Sequence, residues 1–283
     1  MPTIFEEIGH SAAMTEKDFR RLSDFIQSTL GIKLPPSKKV ILQTRLQRRL
    51  HRLGIKSFEK YCEYIFSPEG RDRELVYMLN AVTTNKTEFF REAQHFDYLM
   101  HTALPELMKS RCGRIIIWSA GCSSGEEPYT IAMAIKAFGD NHPDFSFLIL
   151  ATDISTEMLA VAENGVYREE RIEPVPIELR KKYLLKGIDR NEGLVKIAPE
   201  IRSLVRFRRL NFMEGDFGFR EPIDIIFCRN VLIYFERDTQ EAVVKKFCRH
   251  LARDGYLFIG HSESLYGMDV PLQQVAPAVY RRL

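Results

Sequence analysis

The sequence predicts an α/β protein: a doubly wound, mostly parallel sheet, preceded by an all-α N-terminal domain and interrupted by a small inserted antiparallel β-subdomain. Three observations carry this expectation. Apolar, β-branched runs at residues 114–119, 147–153, 223–228 and 255–260 alternate with helical segments, as in a parallel sheet covered on both faces. Before Arg114 there is no strand pattern, only apolar residues at three- and four-residue steps. From Tyr167 to Leu210 the alternation breaks into a basic, irregular stretch with Pro174 and Pro176. A chain of 283 residues also exceeds one average domain. The expected division is a helical domain over 1–82, a connecting and ligand-covering segment over 83–110, and an α/β domain over 111–283 with its insert at about 167–210.

The elements follow in order. Residues 18–30 place Phe19, Leu22, Phe25, Ile26 and Leu30 at helical spacing, with Gly31 as the stop. Pro35-Pro36 breaks the chain and Ser37 is the expected N-cap of a helix over 38–53, which aligns Leu42, Leu46, Leu50 and Leu53 and ends at Gly54. Short helices are expected over 57–66 and 71–80. In the second part, helices over 128–138 and 239–251 separate strands, and residues 278–280 read as a last edge strand. Within the insert, a helix over 177–185 precedes residues 192–197, half of a small hairpin. No internal repeat or low-complexity segment is visible.

Composition removes several classes. Forty-one basic against 38 acidic residues give a net charge of +3, far from an acidic solvating protein or a general nucleic-acid coat. No apolar run approaches the ~18 residues of a membrane helix. The opening MPTIFEEIGHS has no basic segment leading into an apolar one, so no secretory signal is expected. Five cysteines, without a CxxC pair, argue against a disulfide framework or zinc knuckle and for a reducing, cytoplasmic setting. No metal site is expected. Cys122 and Cys228 read as small buried thiols beside the pocket.

Four stretches are placed to carry chemistry at the sheet. Trp118-Ser119-Ala120-Gly121-Cys122-Ser123-Ser124-Gly125-Glu126-Glu127-Pro128-Tyr129 leaves a strand and opens a helix, a setting in which backbone approaches a ligand. Its two glutamates would repel phosphate, so it suits a cationic group; an ordinary strand–turn–helix is the alternative. Asp153, ending the next strand, is positioned for a ribose diol or for helix capping. Together they point to a nucleoside joined to a positive group, a description S-adenosylmethionine meets. Cys228-Arg229-Asn230 and Tyr234-Phe235 follow the third strand, where a buried Arg229 requires an anion, either a ligand or a structural carboxylate. Residues 83–92, polar and then aromatic, lie between the two halves and could close over a ligand.

A fifth feature lies in the helical half. Residues 33–60 hold nine basic residues against Glu59 alone. Arg45, Arg48, Arg49 and Arg52 fall on one helix face, opposite the leucines. Such a face is either merely solvated or meets an anionic partner, nucleic acid or an acidic protein surface.

With these residues in hand, the chain resembles the CheR-type chemotaxis receptor glutamate methyltransferases over nearly its whole length. The resemblance rests on Asn85-x-Thr87-x-Phe89-Phe90-Arg91-Glu92, Ser124-Gly125-Glu126-Glu127-Pro128-Tyr129, Ala151-Thr152-Asp153, Asn211-Phe212, Phe227-Cys228-Arg229-Asn230-Val231 with Tyr234-Phe235, and Gly260-His261-Ser262-Glu263-Ser264. It implies an S-adenosylmethionine-binding Rossmann-like domain with S-adenosylhomocysteine as product. Asn85, Thr87, Arg91, Glu127, Asp153, Asn211, Phe212, Arg229 and Asn230 are then cofactor contacts. Arg229, Tyr234 and Arg91 surround the reacting groups. The resemblance further implies that the arginine helix docks on the cytoplasmic region of a transmembrane chemoreceptor. In some members the β-subdomain also captures the receptor's C-terminal tail peptide as an added strand. The matching positions are Lys186, Gly187, Gly193 and Lys196, lysines standing where some relatives have arginines able to bind a carboxylate bidentately.

The implied reaction explains what the sequence lacks. A glutamate with a pKa near ~4.3 is already ionised at neutral pH, so neither a general base nor a metal is needed. Positioning and exclusion of water remain. The expected enzyme is a monomer that binds no nucleic acid and does not insert in the membrane. The competing readings are a methyltransferase for nucleic acid or a small molecule, and a non-catalytic S-adenosylmethionine-sensing adaptor.

Overall fold

The computed structural model describes residues 13–111, 113–139 and 145–283. Cys112 and the opening eleven residues, read above for disulfides and signals, lie outside the described residues. The chain divides between Thr84 and Asn85 into two compact units.

Among the described residues, the elements of the first unit are helices. In α1 (Glu16–Leu30), Thr15 and Asp18 form a reciprocal capping box, Phe19, Leu22, Ile26 and Leu30 are buried, and Gly31 ends the helix in the left-handed conformation. Ser37 does not cap α2 (Lys39–Leu53). A 3-10 turn over Pro36–Lys38 runs directly into the helix, leaving Lys38 at the cap position without a side-chain bond. Leu42, Leu46 and Leu50 are buried, whereas Leu53 at the fraying end is exposed. After α3 (Phe58–Phe66), the single helix expected over 71–80 is two, α4 (Pro68–Arg73) and α5 (Leu75–Val82), with Glu74 at the break.

The residue at that break is a buried charge. Glu74 is 1% exposed, and its carboxylate accepts Arg49 Nε at 2.8 Å, Arg49 Nη2 at 2.6 Å and Tyr61 Oη at 3.0 Å. A buried carboxylate is tolerable only with such partners. Its charge and hydrogen bond raise the Arg49 pKa, while burial foremost, and then Glu74, push up Tyr61.

The second unit opens with α6 (Gln94–Tyr98), which passes through a π-turn at Leu99–Ala103 into α7 (Leu104–Ser110). Its strands are β1 (Ile115–Ala120), β2 (Phe147–Asp153), β3 (Val166–Arg168), β4 (Leu184–Lys186), β5 (Leu194–Ile197), β6 (Val205–Arg209), β7 (Ile223–Cys228), β8 (Leu251–Ile259), β9 (Leu272–Ala276) and β10 (Val279–Arg282). Seven form one sheet in the order β6-β2-β1-β7-β8-β10-β9; the first five are mutually parallel, and β10 runs antiparallel to both of its neighbours, β8 and β9. The helices between strands are α8 (Glu126–Gly139), α9 (Thr156–Asn164), α10 (Ile177–Tyr183), α11 (Pro199–Arg202) and α12 (Arg237–His250). All six residues of β1 and of β7 are buried, as in a covered parallel sheet; the one charged member, Asp224, accepts Ile116 N at 2.9 Å and pairs with Arg111 at 3.1 Å.

The order reverses at β1: β2 lies on one side and β7 on the other. Such a switch point opens the crevice in which α/β sheets bind ligands. The register pairs Ala120 with Thr152, Ser119 with Phe227, and Cys228 with Ile259, so the carboxyl ends of four strands share one rim.

Three strands differ from the sequence reading. Val205–Arg209, included in the insert, is the parallel edge strand beside β2. Its exposed Arg206, Arg208 and Arg209 conceal the strand pattern, and charged side chains protect an open edge. The last strand expected at 278–280 is β10, which begins at Val279 after a turn at Ala278, and β9 forms the edge beyond it. The segment 192–197 supplies β5, the middle strand of a three-stranded antiparallel sheet, β3-β5-β4, rather than half of a hairpin.

Candidate active site

The loop after β1 is built from conformations few residues adopt. Gly121 and Gly125 have φ of 90° and 96°, and Ser123 between them has 48°. A Cβ at Gly121 would lie 2.6 Å from Val231 Cγ2, so only glycine lets the loops after β1 and β7 meet here. The backbone N–H groups of Gly121 and Cys122 donate to the Thr152 carbonyl at 2.8 and 2.9 Å. Asp153 completes the tie. Its Oδ2 accepts Ser123 N and its Oδ1 accepts Ser155 N, each at 2.8 Å. Burial raises its pKa against the pull of those N–H groups. One carboxylate thus joins the β1 and β2 loops.

The paired glutamates divide. Glu126 is fully buried; its carboxylate accepts Ser124 Oγ at 2.7 Å and is bound by the Arg171 guanidinium, which also donates to the Thr87 carbonyl at 3.3 Å. Tyr167 Oη donates to the Ser124 carbonyl at 2.7 Å, so the segment around β3 is fastened to this loop twice. Glu127 faces the crevice. Its Oε1 accepts Ser119 Oγ at 2.6 Å, and its Oε2 lies 3.5 Å from Arg229 Nη1. Burial raises the Glu127 pKa, with Arg229 and Ser119 opposing.

Arg229, its side chain 2% exposed, meets internal partners in three directions. Nε is 3.4 Å from Glu92 Oε2, Nη2 donates to the Arg91 carbonyl, and Nη1 faces Glu127. Glu92 also receives Asn230 Nδ2 at 3.4 Å and the His261 backbone N–H at 3.3 Å. Burial would raise the Glu92 pKa, but Arg229, the His261 N–H and neighbouring imidazoles hold it below the usual value. His95 Nδ1 is 3.4 Å from Glu92 Oε2, yet neither His95 nitrogen has a hydrogen-bond partner among the described residues. Burial and the Arg229 charge push His95 down to about 4.

Asn230 sits at φ 58°, a costly left-handed conformation. Glu263 holds it there, accepting Asn230 N at 2.9 Å, Gly260 N at 2.6 Å and Ile233 N at 3.2 Å. Burial raises the Glu263 pKa, partly offset by these donors. Asn230 Oδ1 is a buried acceptor without a partner among the described residues.

The other expected residues are distributed as follows. The Asn85 carbonyl accepts Ser123 Oγ at 3.0 Å, and Arg91 Nη1 donates to the Lys86 carbonyl at 3.3 Å, so residues 85–92 lie against the crevice loops. Tyr234, half-buried, ends the 3-10 turn Leu232–Tyr234. Asn211 Oδ1 accepts Met213 N at 3.0 Å, and the Phe212 ring packs against Trp118 and Phe247. Cys122 and Cys228 are buried free thiols, their pKa values pushed well up by burial.

The four arginines of α2 do not act alike. Arg45 donates to the Val82 and Thr83 carbonyls and to Thr84 Oγ1, and Arg49 is spent on Glu74; Arg48 and Arg52 are exposed. In the β-subdomain, Lys186 and Lys196 are exposed, with Lys186 Nζ 2.5 Å from Glu169. Gly187 donates to the Leu194 carbonyl, and a Cβ there would lie 2.0 Å from the Asn191 carbonyl oxygen. Gly193 has φ 78°.

Sequence reasoning assigned no role to Glu92, His95, Arg171, His261 or Glu263. For His261 and Glu263 the signal was present: they follow the carboxyl end of β8, the criterion that selected Asp153 and Arg229.

The strand ends bring the carboxylates of Glu92 and Glu127 against the Arg229 guanidinium, with Asp153 on the β1 and β2 loops and the orphaned Asn230 amide oxygen after β7. That donor set suits a ligand with cationic and hydroxyl groups, and S-adenosylmethionine, with its ammonium, sulfonium and ribose diol, fits it.

Comparison with known proteins agrees. Residues 85–280 match the CheR methyltransferase SAM-binding domain, and residues 17–83 the CheR methyltransferase all-alpha domain. The chemotaxis protein methyltransferase of Borreliella burgdorferi is 39% identical over 274 residues, covering 95% of each chain. Chemotaxis protein methyltransferase 2 of Pseudomonas aeruginosa is 38% identical, over 94% of this chain and 93% of its own. That of Escherichia coli is 38% identical, over 89% and 86%. The chain belongs to the CheR methyltransferase family and is an S-adenosylmethionine-dependent methyltransferase of chemotaxis.

Proposed function

We propose that this enzyme transfers the methyl group of S-adenosylmethionine to glutamate side chains in the cytoplasmic region of transmembrane chemoreceptors, forming methyl esters. The observation that carries this reading is the switch point itself, where the Arg229 guanidinium from the β7 end is surrounded by the internal acceptors Glu92, Glu127 and the Arg91 carbonyl. Bound S-adenosylmethionine supplies an electrophilic methyl on sulfur. The chain's own residues bind, orient and exclude water. Asp153 takes the ribose and Glu127 a cationic or hydroxyl group, while Asn85, Thr87, Arg91, Asn211, Phe212, Arg229 and Asn230 line the remainder. Tyr234 borders the attacking carboxylate. An ionised glutamate needs no base, only alignment with the methyl and loss of its hydration.

The receptor meets the first unit through Arg48 and Arg52, the exposed members of the arginine face, and opposite charge favours its acidic surface. The protein acts as a monomer on the cytoplasmic side of the membrane; no helix among the described residues is long and apolar enough to cross it. Capture of a receptor tail by the edge of the β-subdomain sheet, near Lys186, Gly187, Gly193 and Lys196, is part of the same reading. The test is transfer of radiolabelled methyl from S-adenosylmethionine to a purified receptor cytoplasmic fragment, with RNA as competitor. Label on the receptor that RNA does not suppress supports the reading. Label on RNA with none on the receptor overturns it.

A further inference from the structure

We infer that Glu92 is a positioning residue for methyl transfer: it keeps the charge of Arg229 engaged inside the protein, so that the incoming carboxylate stays free to attack. The inference rests on the glutamate-methylating reading above and deepens it. A guanidinium beside the acceptor glutamate would pair with its carboxylate and draw electron density from the attacking oxygen. Here that pairing is pre-empted. Arg229 Nε faces Glu92 Oε2 at 3.4 Å, Nη1 faces Glu127 Oε2 at 3.5 Å and Nη2 donates to the Arg91 carbonyl.

Glu92 is built to hold that position. Its own φ of 56° is left-handed, as are those of Phe90 and Asn230, so three non-glycine residues bear this conformation around one cluster. Its Oε1 accepts both Asn230 Nδ2 and the His261 N–H, which fixes the carboxylate from the β7 and β8 loops together. The buried His95 ring, edge-on to Phe258 and to His261, walls off the side facing its Oε2. Glu92, His95 and His261 approach within 4.8 Å of one another, a spacing that a cation could bridge, but the Arg229 guanidinium already supplies positive charge to Glu92.

Three variants test the charge specifically. Glu92→Gln keeps shape and an acceptor for the His261 N–H; kcat should fall about ten- to a hundredfold, and the KM for the receptor fragment should fall with it, as freed Arg229 binds the ground-state carboxylate. Glu92→Asp keeps the charge and should retain more activity than Glu92→Gln. Wild-type kcat and KM in Glu92→Gln, or Glu92→Asp as poor as Glu92→Gln, would overturn the inference. Should Glu92→Gln fail to fold, the neutral pair Glu92→Gln/Arg229→Gln removes both charges. It should be no slower than Arg229→Gln alone, whereas additive losses would overturn the inference. Wild-type enzyme runs in every assay: if it places no base-labile methyl on the receptor, the function reading fails instead.

Discussion

Glu263 holds Asn230 in a left-handed turn: its carboxylate accepts the Asn230 backbone N–H at 2.9 Å, while Asn230 stands at φ 58°. The same carboxylate gathers Gly260 N and Ile233 N, so one buried side chain sets the path of the chain leaving β7 and β8. A Cβ at Gly260 would lie 2.5 Å from Asn230 Nδ2, which fits glycine alone at that approach.

Glu263→Ala would strand three backbone donors and should cost about 2–5 kcal/mol of stability, with weaker S-adenosylmethionine binding. Asn230→Gly relieves the left-handed strain and should keep or slightly raise stability while lowering cofactor affinity. Denaturant unfolding with calorimetric titration checks both. Equal losses of stability in the two variants would contradict the assignment of support to Glu263 and ligand contact to Asn230.

On α2, the arginines separate by environment. Arg48→Glu/Arg52→Glu should impair receptor methylation and leave both melting temperature and S-adenosylmethionine affinity intact. Arg49→Glu should destabilise the helical unit by about 3–5 kcal/mol, because it sets a second carboxylate against the buried Glu74. Thermal melts and methylation assays on the two variants distinguish the roles; a stable Arg49→Glu would refute the structural one.

Acidification should weaken the fold through His95. Its pKa is about 4 in the folded protein against 6.5 as a free side chain, so the unfolded chain binds the proton first. The resulting stability is present above pH ~6.5 and lost as pH falls toward ~4, amounting to about 3 kcal/mol at most. Burial and Arg229 lower this pKa, while Glu92 opposes them. In His95→Phe this part of the pH dependence should vanish. Parallel stability curves for the two proteins between pH 4 and 7 would contradict it.

Much of the fold could be read from the sequence because the physics was local. The isoleucine-rich runs of β1 and β7 announce strands covered on both faces, and Gly31 and Gly54 mark helix ends by a conformation glycine tolerates. The edge strand β6 was hidden because an exposed edge tolerates Arg206, Arg208 and Arg209 as readily as a loop does. At the site, Asp153 and Arg229 stood out by following strands. Glu92 and His95 did not, for their significance lies in meeting Arg229 and His261 across 137 and 166 positions of sequence, contacts that no local pattern encodes. The arginine face shows the same limit: helical spacing grouped Arg45, Arg48, Arg49 and Arg52, but only the fold reveals that Glu74 occupies Arg49.

The most direct measurement is the alkali lability of the transferred methyl. Receptor fragment labelled by this enzyme from radiolabelled S-adenosylmethionine should release volatile methanol in mild base, as a glutamate methyl ester does. Label that stays on the protein would place the methyl on nitrogen or carbon and contradict the account.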